Sequence, residues 1–254
     1  MSTAFQPPAG RISDFDAGVF LVDKPAGPTS FKIVQLVRRN LGIKKVGHAG
    51  TLDPFATGLL VICAGRSATR IISRLMDGEK EYEATLKLGV ETDTFDLEGK
   101  ITASRPVGDL DRARVEECVS GFEGEQLQMP PSFSALKHKG KPLYYYARKG
   151  IEIACKPRRI QIREISCIDI SADTLSILVR CGKGTYIRSL ASDIGTALGC
   201  GAHLVALRRL RSGLFSVTNA LAVNDLLDRE KGRELLLEHM LSVEEVLEML
   251  PRRN

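Results

Sequence analysis

Four stretches of this sequence hold side chains able to do chemistry. The first is VGHAGTLDPFATGLL, where Asp53 sits in a Gly- and Thr-rich loop ahead of an apolar run and Pro54 stiffens the following turn. An aspartate with a reference pKa of ~3.9 is ionised at neutral pH and can serve as nucleophile or base. Short Asp-Pro segments also make turns and caps, and residue types alone leave both roles open. The second is CGKGTYIRSLASDIG, in which Gly182 and Gly184 permit a close turn into a helix expected to begin near Thr185. Amides at such a helix start, with Lys183 beside them, suit a phosphate, and Arg188 follows one turn in. The glycines lack the spacing of either nucleotide-binding motif, so a plain strand–helix turn carrying a surface arginine is the alternative. The third is EKEYEATLKLG, whose Tyr82 falls on the inward side of an alternating strand, as a core residue or a platform for a base. The fourth, KHKGKPLYYYARKG, interleaves cations with aromatics in the manner of RNA-binding surfaces. Tyr144, Tyr145 and Tyr146 cannot share one helix face, so at least one is expected in the core.

The surrounding periodicities say what positions these groups. Residues 18–23 (GVFLVD) and LLVICAG read as buried strands, and Thr29 or Ser30 caps a helix reaching Leu41 with Ile33, Val34, Val37 and Leu41 on one face. Residues 80–88 alternate cleanly, and ITAS is a short strand. Residues 109–119 form an acidic amphipathic helix, and Pro142 suits the first turn of another. IEIACKP, RRIQIREISCIDI and TLSILVRCG are expected as three strands. Tyr186, Leu190, Ile194 and Leu198 mark a helix, AHLVALRRLRSGLFSV a further strand, and the tail from Val223 is helical. Strands outnumber helices without regular strand–helix alternation. The expectation is therefore an α+β fold with a mixed, largely antiparallel sheet flanked by helices and loops.

Composition narrows the classes of function. The hydrophobic fraction of 43% and charged fraction of 26% are those of a globular protein, and no apolar run reaches the ~18 residues of a membrane span. The N-terminal segment lacks the pattern of a secretory signal, which points to the cytoplasm. The six cysteines contain no C-x-x-C pair, and the four histidines form no cluster, so neither a metal site nor a disulfide framework is expected. The net charge of +5 is unevenly spread: +6 over residues 18–80, −7 over 81–128, +10 over 129–215 and −3 over 216–254. The basic blocks are either a phosphate-tracking face or ordinary solvated lysines and arginines.

Taken together, GVFLVDKPAGPTSFKIV, VGHAGTLDPFATGLL, KEYEATLKLGVETDTFDLEG, QMPPSFSALKHKGKPLYYYARKGIEI, KGTYIRSLASDIG and GCGAHLVALRRLRSGLFSV resemble, in order, the motifs of the TruB family of pseudouridine synthases. The likeness spans about residues 18–217. It implies the pseudouridine-synthase fold, with residues 18–254 as catalytic domain behind a flexible lead-in at 1–17. It implies isomerisation of uridine 55 in the tRNA T loop by base flipping and an aspartate-dependent rearrangement of the glycosidic bond. Asp53 matches the family's catalytic aspartate, Tyr82 the tyrosine that stacks on the target uracil, and Arg188 the arginine that pairs with the carboxylate. Tyr186 matches a neighbouring aromatic, Lys24 a lysine supporting the loop or the RNA, and His48 the histidine that packs where the flipped base has left. Because product and substrate are isomers, the resemblance implies no cofactor and no metal. The partner it implies is the tRNA T-arm, with no membrane, no obligatory protein partner, and a monomer.

Two features depart from the family pattern. The common C-terminal RNA-binding PUA domain is expected to be absent, with the acidic, helical tail closing the catalytic domain instead. Ala49 replaces the commoner threonine of the catalytic loop, a change expected to be neutral. A guide-RNA-dependent subunit and a non-catalytic tRNA-binding module are the rival functions. The intact set of Asp53, Tyr82 and Arg188 argues against the second.

Overall fold

The apolar runs before Lys24 and after Gly58 become neighbouring strands covered on both faces, which is why they are continuous rather than alternating. In the computed structural model, residues 15–109 and 111–251 are described, so most of the expected lead-in at 1–17 lies outside them. The chain runs β1 (Gly18–Lys24), α1 (Ser30–Leu41), β2 (Val46–His48), β3 (Thr57–Ala64), α2 (Arg66–Arg70), α3 (Ile72–Asp77), β4 (Lys80–Leu88), β5 (Val90–Thr92) and β6 (Ile101–Ser104). It continues through α4 (Arg112–Ser120), β7 (Gly124–Gln128), β8 (Lys137–His138), β9 (Lys141–Pro142), α5 (Leu143–Ala147), β10 (Arg158–Ile170), β11 (Thr174–Cys181) and α6 (Ile187–Leu198). The last elements are β12 (Ala202–Ser212), β13 (Phe215–Ser216), β14 (Leu221–Ala222), α7 (Arg229–Glu238) and α8 (Val243–Met249). Most strand pairs are antiparallel, with β1–β14 and β3–β12 parallel, so the fold is α+β with a mixed sheet.

The chain divides into two units, Met1–Lys80 with Arg208–Asn254, and Glu81–Leu207. In the first, β1 pairs with β3 along its whole length, β2 extends along β3, and β12 enters parallel to β3 with Arg209 opposite Gly58. Val19, Leu21, Leu59, Val61 and Cys63 point to one side, where they pack with Leu75, Phe215, Val243 and Val246. Phe20, Val22, Leu60 and Ile62 point to the other and meet Ile33, Val37 and Leu41 of α1 and Leu226 and Leu236. Burial pushes the Cys63 thiol up to about 12, so it acts as a small hydrophobe. Thr29 caps α1 by accepting from the Lys32 amide, and Gly42 closes it in the left-handed region.

The second unit arranges its strands in the order β12–β4–β11–β10–β7. Ala84, Leu86 and Leu88 of β4 and Leu175, Ile177, Val179 and Cys181 of β11 are buried at alternating positions, as their period of two requires. α4 packs on β10 and α6, burying Val115 and Val119. Three expectations are corrected here. IEIACKP forms no strand: residues 151–157 carry no ladder, and Ile151 is exposed, so the alternation there faces solvent. None of the three consecutive tyrosines is in the core; Leu143 is the residue that anchors α5. α6 starts at Ile187 rather than near Thr185, with Tyr186 as its cap.

Candidate active site

Asp53 lies in the loop between β2 and β3, half-buried, and several backbone groups on either side of it are tied down. The Leu52 amide donates to Ser30 Oγ at 2.9 Å, and that hydroxyl donates back to the Leu52 carbonyl at 2.9 Å. On the other side, the Pro54 carbonyl accepts from the Gly27 amide at 2.8 Å and from Lys24 Nζ at 3.0 Å. Lys24 also donates to the Pro25 carbonyl at 2.8 Å and is fully buried. Pro25 of KPAGPTS and Pro54 of the Asp53 loop thus converge on one ammonium. Lys24 is therefore bonded to the backbone of the Asp53 loop. The Ala56 amide closes the turn on the Asp53 carbonyl at 3.2 Å. Asp23, next to Lys24, accepts both guanidinium nitrogens of Arg208 at 3.1 and 2.7 Å, a bidentate pair that locks β1 to β12.

His48 ends β2 five residues before Asp53 and is half-buried. Burial lowers its pKa below the ordinary 6.5, the charge of Arg209 lowers it further, and a backbone contact with Gly50 opposes both. The imidazole is therefore neutral at pH 7, which suits packing against a nucleobase stack more than pairing with phosphate.

In the second unit, Arg188 occupies the second position of α6, is buried, and donates to three groups of its own unit. Its guanidinium donates to Asp96 Oδ2 at 3.2 Å, the Thr94 carbonyl at 3.1 Å and the Phe133 carbonyl at 2.7 Å. Asp96 is as deeply buried and also accepts from Thr94 Oγ1 at 2.5 Å and the Glu98 amide at 3.0 Å. Phe95 between them has φ of 61°, a left-handed conformation rare outside glycine and asparagine. The arginine is thus held by a carboxylate that the sequence reading passed over. Asp96 was hidden in a polar turn, VETDTFDLEG, whose many acids looked solvated.

Tyr186 is fixed by a second residue missed in sequence. The Gln128 side chain accepts from the Tyr186 amide at 2.8 Å and donates to its carbonyl at 3.1 Å, an amide pairing that sets the start of α6. Lys183 stands exposed in the turn before it, where Gly184 takes φ of +84°. Tyr82 is half-buried on β4, on the same strand as the buried Ala84, Leu86 and Leu88.

Two basic surfaces accompany these groups. In the first unit a pocket of about 550 Å³ is lined by Arg38, Lys44, Lys45, Arg66 and Arg70, with no acid among its lining residues. In the second, Tyr145 is flanked by Lys141 and Lys149, whose ammonium groups lie 4.4 and 4.6 Å from its ring centre. Hydrogen bonding from Lys149 leads the effects that lower the Tyr145 phenol below its usual pKa. Tyr146 donates to the His138 carbonyl at 3.1 Å, and Tyr144 is exposed with Arg148 beside its ring.

The first unit thus carries a half-buried aspartate in a clamped loop and a basic pocket, and the second a buried arginine–aspartate pair and a tyrosine flanked by two lysines. The TruB family pseudouridylate synthase (N terminal domain) matches residues 38–187, and the tRNA pseudouridylate synthase B C-terminal domain matches residues 188–248. The chain belongs to the TruB family of pseudouridylate synthases, isomerases that act on RNA. The tRNA pseudouridine synthase B of Desulfotalea psychrophila (strain LSv54 / DSM 12343) is 59% identical over 242 residues, covering 93% of this chain and 98% of the relative. That of Dechloromonas aromatica (strain RCB) is 49% identical over 236 residues, covering 92% and 77%. Among solved structures, a Cbf5–Nop10–Gar1 complex matches with a TM-score of 0.70 and 32% identity over 91% of this chain. An H/ACA RNP bound to a substrate RNA containing 2'-deoxyuridine matches at 0.66 and 29%, also over 91%. The chain spans 61% of each of those two chains. Among the described residues, no helix is long and apolar enough to cross a membrane.

Proposed function

We propose that this protein converts uridine 55 in the T loop of tRNA to pseudouridine, with Asp53 as the catalytic carboxylate. The single observation that carries the reading is the Asp53 loop. Ser30 and Gly27 immobilise its backbone with Lys24, leaving a carboxylate on a rigid mount rather than an Asx turn on a flexible one. Asp53 attacks the sugar or the base, or takes a proton from the ribose. The N1–C1′ bond breaks, the uracil turns, and C5 bonds to C1′; C5 gives up its proton and N1 takes one, so the product is an isomer. No electrons enter or leave, and no cofactor is required by the balance.

Tyr82 stacks on the flipped uracil and offsets the lost base stacking by ~1–3 kcal/mol. Arg188, held by Asp96, is the arginine that the family motif assigns to the catalytic carboxylate. Tyr186 borders the base, neutral His48 fills the space the base leaves, and Lys183 takes a backbone phosphate. The pocket at Arg38, Lys44, Lys45, Arg66 and Arg70 supplies further phosphate contacts. The protein works in the cytoplasm as a monomer, without a protein partner or guide RNA.

The test is chemical mapping of pseudouridine in an unmodified tRNA transcript after incubation with the purified protein alone. A single modified site at position 55 is expected. Modification elsewhere, or only after addition of a guide RNA and partner proteins, would overturn the assignment.

A further inference from the structure

Arg209 is fully enclosed, 1% exposed, and among the described residues no carboxylate forms an ion pair with it. A buried cation without a counter-ion is costly, and such a side chain persists only where it is well hydrogen-bonded. Its Nε donates to the Leu59 carbonyl at 2.7 Å, and its Nη2 donates to the Gly50 carbonyl at 3.0 Å. Gly50 and Leu59 are the two flanks of the Asp53 loop. The guanidinium therefore closes an eight-residue excursion, residues 51–58, from inside the fold.

Its origin is equally fixed. Arg209 pairs in parallel register with Gly58, and a Cβ on Gly58 would lie 2.3 Å from the Arg209 carbonyl oxygen. Gly58 also has φ of +97°, so only glycine lets the two backbones meet. Ser30 and Lys24 each hold one residue beside Asp53, but Arg209 spans both flanks with one planar fork. A lysine, with a single point charge, has no equivalent of that fork.

We infer that Arg209 is a positioning residue for the Asp53 loop, acting on turnover through the backbone at Gly50 and Leu59 and not through contact with RNA. The inference rests on Asp53 being the catalytic carboxylate. A displacement of about 1 Å at a reacting group costs on the order of 100-fold in rate, whereas the enclosed side chain is out of reach of the RNA.

The experiment measures single-turnover rate and tRNA affinity for wild type, Arg209→Met, Arg209→Lys, Arg209→Gly and Asp53→Asn, with thermal melts for each. Arg209→Met and Arg209→Lys are expected to lose about 30- to 100-fold in rate with affinity within about threefold. Guanidinium ion below denaturing concentration should accelerate Arg209→Gly and leave wild type unchanged. If Arg209→Met does not fold, Arg209→Lys and the guanidinium response of Arg209→Gly carry the same readout. Rates within about threefold of wild type overturn the inference. So does a rate loss that tracks the unfolded fraction and ignores guanidinium. An active Asp53→Asn protein instead overturns the catalytic role of Asp53, which separates the two failures.

Discussion

At the scale of single residues, the chemistry is set by what lies around each charge. Arg188 and Asp96 form a buried pair whose remaining hydrogen-bonding groups are met by Thr94, Phe133 and Glu98. Removing one partner of such a pair leaves the other charge uncompensated, at a cost of about 3–5 kcal/mol. Asp96→Asn keeps the shape and loses the charge. It is expected to lower the melting temperature and to slow turnover at saturating tRNA, as Arg188 reorients; equal rates for both proteins would contradict the positioning of Arg188 by Asp96. His48 adds a pH dependence of definite sign. Its folded pKa lies below 6.5, first through burial and then through Arg209. Between 6.5 and that lower value the unfolded chain binds a proton that the folded chain refuses, so stability falls as pH drops through this window. His48→Gln should flatten the melting temperature between about pH 7 and 5, and an unchanged slope would contradict the assigned cause. Asp53, Tyr82 and Arg188 were singled out with structural alternatives left open, and the resemblance to the family motifs assigned their roles. Asp96 and Arg209 were not, because acids in polar turns and arginines in basic runs are usually solvated, and only packing distinguishes the buried ones.

At the scale of elements, legibility followed burial. β4 was readable to its ends, Lys80–Leu88, because a strand with one buried face must alternate. α1 was readable because a capping Thr29 or Ser30 precedes the single apolar face of Ile33, Val34, Val37 and Leu41, and Thr29 is the cap. Residues 151–157 alternate as well, but an alternating segment needs a neighbour with free backbone groups, and none pairs with it among the described residues. The start of α6 was misplaced because its cap makes no side-chain bond of its own; the partner is Gln128, some sixty residues earlier. Gln128→Ala should therefore loosen the Tyr186 turn, costing about 1–3 kcal/mol for the unpaired amide and carbonyl. Faster amide exchange at Tyr186 is the measurement; exchange unchanged from wild type would mean that the turn is held otherwise. Gly58→Ala is the sharper change. The close approach to Arg209 and the positive φ together should cost about 2–5 kcal/mol, visible as a lowered denaturation midpoint, and a neutral effect would contradict the packing of β12 on the loop.

At the scale of the whole molecule, function depends on charge gathered over long sequence distances. The basic balance of residues 18–80 became a defined feature, the pocket of Arg38, Lys44, Lys45, Arg66 and Arg70. Which lysines and arginines would assemble was not readable, since the pocket draws on α1, β2 and α2 with the turns between them. Binding to tRNA through ~5–8 phosphates should weaken steeply with salt. Reversing Arg66 and Arg70 to glutamate should reduce the slope of log affinity against log salt by about 2 or more, with turnover at saturating tRNA retained. A slope equal to wild type would remove this pocket from the RNA-binding surface. The fold class and the order of the motifs were legible from the sequence. The two-unit division was not, because the chain crosses between the units inside β4 and β12, with no linker to mark the places.

The most direct test of the central claim is tritium release from tRNA transcripts carrying uridine tritiated at C5, with wild type and Asp53→Asn compared at equal RNA occupancy. The account requires release by wild type from a transcript with uridine at position 55, none when that position is cytidine, and none by Asp53→Asn although it binds with near-normal affinity. Release by Asp53→Asn at a rate near wild type would contradict it, because the clamped loop would then be holding something other than the catalytic group.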